Sequence, residues 1–124
     1  MSTEVLCFAG GIVAPYIFHR IWYHMRPADF EKISGIRKWT GLNWHHGHMG
    51  FILLFLLIIC AGNWRHNSVL AFFIGLAIGL VLDEAWASLK LPGNRPVELK
   101  VYAESISMTA VILVITLFVL FLAN

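Results

Sequence analysis

The chain has 124 residues, 59% hydrophobic and only 13% charged, with a net charge of +2. Average soluble domains carry about 25% charged residues, and a water-soluble fold of this size could not hide so much apolar surface. The composition points to an all-α polytopic membrane protein, a single integral domain over residues 1–124, and the small charge excess gives no footing for a nucleic-acid partner.

Four segments are predicted as transmembrane helices. The first covers about residues 5–23; Pro15 interrupts it, and His19 and Arg20 fall inside it. Proline is tolerated in membrane helices, and long basic side chains snorkel to the interface. Tyr16, Trp22 and Tyr23 suit an interfacial aromatic belt. A surface-lying or re-entrant helix is the alternative for this segment. It does not read as a signal peptide, because no basic residues precede the apolar stretch and no small-residue cleavage site follows cleanly. A basic loop comes next, at about residues 24–43. Its middle, residues 28–39, mixes apolar and charged side chains as a short helix on the leaflet surface would.

The other three helices are predicted at about residues 44–62, 68–89 and 105–122, each with the roughly 20 apolar residues a bilayer requires. Residues 91–96, rich in proline and glycine, form a turn after the third. The five tryptophans fall near the predicted interfaces. Cys7 and Cys60 lie in no metal-ligand spacing and read as free thiols behaving as small hydrophobes.

Loop charges predict orientation. The first loop is assigned Arg20, Arg26, Lys32, Arg37 and Lys38, the loop at residues 90–104 is assigned Lys90, Arg95 and Lys100, and the loop between holds Arg65 alone. Positive residues collect on the cytoplasmic side. Both basic loops are therefore predicted to be cytoplasmic, and four spans leave both termini outside.

Two motifs carry chemistry. His45, His46 and His48 stand in the run Asn43-Trp44-His45-His46-Gly47-His48-Met49-Gly50, at the mouth of the second helix. Asp83 and Glu84 close the apolar stretch of the third. Ionisable residues at membrane depth are costly and persist where they bind, pair or move protons. The predicted topology puts both motifs at the cytoplasmic end, on neighbouring antiparallel helices. His45 and His48, three apart, share a helix face, while His46 points about 100° from His45. Ala71, Gly75, Gly79, Asp83 and Ala87 recur every four residues, a small-residue packing stripe that turns Asp83 toward another helix. His19, His24 and Glu104 belong to the same predicted layer.

Imidazole and carboxylate are good ligands for zinc, iron and manganese. His45, His48 and Asp83 make a two-His-one-carboxylate set, and His46 and Glu84 extend it toward a second metal. Alternatives stay open: an interfacial histidine cap salt-bridged to the acidic pair, a proton relay without metal, and axial ligation of haem or chlorophyll, for which a lone histidine is a weak signal.

The paired motifs, HHGHMG followed by Gly75-Leu76-Ala77-Ile78-Gly79-Leu80-Val81-Leu82-Asp83-Glu84, resemble a group of small, uncharacterised prokaryotic membrane proteins that carry HHxHxG-like and GxGxGLxLDE-like motifs. The resemblance covers about residues 40–102 and departs at Ala77, where the pattern has glycine. It implies a prokaryotic cytoplasmic membrane and a shared role for the two motifs, and it names no reaction.

Three function classes follow. The first is a membrane protein with a divalent-metal site; if it is an enzyme, the metal polarises an oxygen or activates water on a lipid-soluble or membrane-proximal substrate, with Glu84 as base. The second is an accessory subunit of a larger respiratory, photosynthetic or oxygenase complex. The third is a homo-oligomeric ion conduit.

Overall fold

The computed structural model describes residues 2–26, 46–60, 67–88, 100–101 and 104–122. They form four helices and no strand: α1 (Thr3–Met25), α2 (His46–Cys60), α3 (Ser68–Ser88) and α4 (Ile106–Leu122). The expected leaflet helix at residues 28–39, the turn at residues 91–96, His45, Arg65 and the side chains of Cys60 and Trp86 lie outside the described residues.

Local chemistry sets the helix ends. The Ser2 side chain accepts from the Val5 N–H at 3.4 Å and Glu4 sits in the first turn, so α1 starts with a cap and a favourable charge. α1 stops at Arg26, whose φ of −141° is no longer helical. Pro27 follows in sequence, and the residue before a proline is pushed out of the helical region. Asn67 caps α3, its side-chain oxygen accepting from the Leu70 N–H at 3.0 Å. α2 takes its cap from a neighbour: the Gly47 N–H donates to Glu84 Oε2 on α3 at 2.8 Å.

Among the described residues, α1 and α3 are long and apolar enough to cross a membrane. α2 and α4 have 15 and 17 described residues and adjoin positions outside the description. The segment with the weakest sequence signal is helical from Thr3 to Met25. Pro15 sits buried in its interior, where it deletes the helical donor to the Gly11 carbonyl.

α3 is central. One edge meets α1 along Gly11, Gly75 and Gly79, and a Cβ on any of these would run into backbone of the other helix. The other edge meets α2, where a Cβ on Gly50 would come within 2.6 Å of the Ala77 carbonyl. Ala71, at the head of the small-residue stripe, is fully buried. α4 joins through its first turns, burying Thr109 and Leu113, and its Ile106 carbonyl accepts from the Tyr16 hydroxyl at 3.2 Å.

Polarity is inverted relative to a soluble bundle. Arg20, Asp83, Glu84, Ser105 and Thr109 are buried, while Phe51, Phe55, Val114 and Phe118 are each at least 60% exposed.

Gly79→Leu is expected to force α1 and α3 apart, costing about 1–3 kcal/mol or more. Gly10→Leu is expected to be neutral, because a Cβ there meets nothing within 4 Å. Thermal unfolding of the detergent-purified protein reads both.

Candidate metal centre

Three helices bring their polar residues to one end of the bundle. His19 lies six residues before the end of α1, His46 opens α2, and Asp83 lies five residues before the end of α3. Asp83 is completely buried. Its Oδ2 is 3.2 Å from His19 Nδ1 and 3.0 Å from His46 Nε2. The two imidazoles are adjacent and tilted by 41°, centroids 4.2 Å apart. One ligand atom from each of His19, His46 and Asp83 lies within 4.8 Å of the others, so the group can hold a metal ion. Tetrahedral zinc, with bonds of about 2.0–2.1 Å, has ligand edges of roughly 3.3 Å, close to the two distances on Asp83 Oδ2.

The neighbours of this group are placed as carefully. His46 Nδ1 faces Glu84 Oε1 at 3.3 Å, and the other oxygen of Glu84 holds the Gly47 N–H. Glu84 therefore fixes both the start of α2 and the direction of the His46 ring. This is the carboxylate–histidine pairing that orients ligating imidazoles and sets which nitrogen faces a metal. On the far side of Asp83, Arg20 Nη2 lies 3.4 Å from Oδ1 in a buried ion pair and donates to Ser105 Oγ at 3.1 Å. The Arg20 guanidinium also lies over the Tyr16 ring, 5.6 Å from its centroid.

Exposure gives the group two sides. The side chains of His19 and His46 are 19% and 24% exposed, against none for Asp83. The imidazoles are partly accessible from outside, while the carboxylate is sealed within the bundle.

The predicted site is thus brought together in part. His46, Asp83 and Glu84 converge. His48 is exposed and outside the group, and His45 lies outside the described residues. Of the wider layer, His19 enters the group, whereas His24 and Glu104 are exposed; Glu104 faces Lys100 at 3.8 Å. Arg20 had been counted with the basic loop and expected to snorkel. It lies inside α1, turns inward, and neutralises Asp83. The missed signal is a polar stripe: Tyr16, His19, Arg20 and Tyr23 recur at helical spacing on one face of an otherwise apolar helix. Cys7 is a free, half-buried thiol away from this group.

No protein family, no curated protein and no solved structure matches the chain.

Removing one partner of a buried ion pair strands the other charge at a cost of about 3–5 kcal/mol. Arg20→Met is expected to destabilise the fold by that order. The double substitution Arg20→Met/Asp83→Leu is expected to recover much of the loss. Denaturant titrations of both variants in mixed micelles check the pair.

Proposed function

We propose that the chain is a four-span membrane protein that binds one divalent transition metal at the cytoplasmic end of its bundle. His19, His46 and Asp83 are the ligands. The observation that carries this reading is the two-sided use of His46: Nε2 faces Asp83 Oδ2, which His19 Nδ1 also faces, while Nδ1 is held by Glu84. Two imidazoles and one carboxylate suit zinc, iron or manganese better than the all-oxygen cations.

Glu84 is then a positioning residue, since both its oxygens are engaged, and the earlier assignment of Glu84 as ligand or base gives way to that role. His48 is left outside the ligand set. If the centre is catalytic, the metal would supply polarisation of an oxygen or an activated water, and the substrate would approach from the partly exposed imidazole side.

The membrane reading is supported by the inverted polarity of the bundle and by the length of α1 and α3. With Arg20 inside α1, seven basic residues remain on the proposed cytoplasmic side against Arg65 on the other. One observation favours a rival: Arg20 already neutralises Asp83, as it would in a structural polar network of an accessory subunit.

Metal analysis of the purified protein separates the two. Near-stoichiometric zinc, iron or manganese is expected, lost in His19→Ala, His46→Ala and Asp83→Asn but kept in His48→Ala. Glu84→Gln is expected to weaken binding about 10–100-fold, the usual effect of losing an orienting carboxylate. Absence of metal from a folded protein, or its retention in His46→Ala, would overturn the metal reading in favour of the network.

Sidedness has its own test. A single cysteine introduced in the loop at residues 24–43 of a Cys-free variant is expected to resist an impermeant thiol reagent in intact cells, and one beside Arg65 to react. The reverse pattern would invert the proposed orientation.

A further inference from the structure

The two oxygens of Asp83 meet different partners. Both imidazoles address Oδ2, His19 Nδ1 at 3.2 Å and His46 Nε2 at 3.0 Å. The Arg20 guanidinium stands 3.4 Å from Oδ1. A carboxylate can meet a cation through one oxygen or through both, so a group that holds Oδ1 decides what is left for a metal.

Arginine has a long side chain with much rotamer freedom, and it aims Oδ1 only if it is itself held. One hold is local: the Tyr16 ring, four residues back on α1, lies under the guanidinium. The other comes from 85 residues away, where Ser105 Oγ accepts from Arg20 Nη2 at 3.1 Å. The same nitrogen therefore faces Ser105 and Asp83. Ser105 directly precedes α4 and is fixed by its backbone. Its N–H donates to the Val101 carbonyl at 3.0 Å, and its carbonyl accepts from the Thr109 N–H at 2.9 Å. Asp83, Ser105 and Arg20 are all buried, and shielding from water strengthens contacts of this kind. Ser105 differs in this from other hydroxyls nearby. The Thr116 hydroxyl donates to the Ile112 carbonyl of its own helix, and the Thr109 hydroxyl has no hydrogen-bond partner among the described residues.

From this we propose that Ser105 is a positioning residue of the metal centre. By fixing the guanidinium it keeps Asp83 Oδ1 on Arg20 and turns Oδ2 toward the metal. The segment that opens α4 gives no ligand to the described group, yet it sets how tightly the group binds. Ser105 does for Asp83, through Arg20, what Glu84 does directly for His46. The inference rests on the metal reading above.

The test uses the full chain in a neutral maltoside detergent. Co²⁺ is the probe metal, a competing chelator reads affinity, and the visible bands of bound Co²⁺ read coordination. Ser105→Ala is expected to weaken Co²⁺ about tenfold, the lower end of what outer partners of a ligand contribute, and to change its bands as Oδ1 comes within reach of the metal. Ser105→Thr keeps the hydroxyl and is expected to match the wild type. Arg20→Lys keeps the charge but replaces the planar fork with a shorter, single ammonium. It is expected to show the same weakening and band change, and it carries the test if Ser105→Ala does not fold. Thr109→Val removes a buried hydroxyl one turn further along and is expected to leave affinity and bands unchanged, whatever it does to thermal stability. Unaltered affinity and bands in folded Ser105→Ala overturn the inference, and so does an equal loss in Thr109→Val, which would reduce the effect to packing of α4. Wild-type protein that takes up no Co²⁺ overturns the metal reading and this inference together. Wild-type binding with an indifferent Ser105→Ala overturns this inference alone.

Discussion

The buried charged residues among those described are gathered around one fully buried carboxylate. Taking an ionised Asp83 out of water costs several kcal/mol unless charge and hydrogen bonds are supplied locally. The fold supplies them from every side: Arg20 and His19 from α1, His46 from α2, and Ser105 through Arg20. No one of these contacts fixes a helix alone. Together they tie the ends of α1, α2 and α3 and the approach to α4 to a single group. That makes the polar layer a register device as well as a candidate ligand set, because sliding any helix by one turn would strand a charge.

The glycine seam makes the layer possible. Gly11, Gly75 and Gly79 let the backbones of α1 and α3 touch, and Gly50 brings α2 equally close to Ala77. Lipid is as apolar as a leucine side chain, so helices in a membrane gain little from burying apolar faces and associate through close packing and polar contacts instead. The order along α3 follows that logic. Small residues at 71, 75 and 79 draw the helices together, and Asp83, next on the same stripe, is carried into the space they exclude. The large apolar side chains are left to face outward.

Much of this was legible in the residues. Hydropathy located all four helices, and the four-residue repeat ending on Asp83 turned that carboxylate inward. The choice among the histidines was not legible. The three-residue spacing of His45 and His48 favoured them as a pair, but His48 is exposed and outside the group, and His45 lies outside the described residues. The spacing argument assumes that ligands cluster on one helix. Here each of three helices gives one residue, so no spacing within a single segment could reveal the set. His19 was expected in the layer but not among the ligands, and Arg20 was misread. Its position near a helix end suggested snorkelling, yet with Tyr16, His19 and Tyr23 it makes a continuous polar face, and in an apolar helix such a face belongs against protein.

Arg20 is the residue that most tests the metal reading, since it already balances Asp83. The geometry shows why the two are compatible. Arg20 donates to Ser105 Oγ at 3.1 Å. Arg20 also approaches Asp83 Oδ1, while both histidines address Oδ2. The ion pair and the candidate metal position thus occupy different oxygens of one carboxylate, and Arg20 aims the second oxygen instead of competing for it.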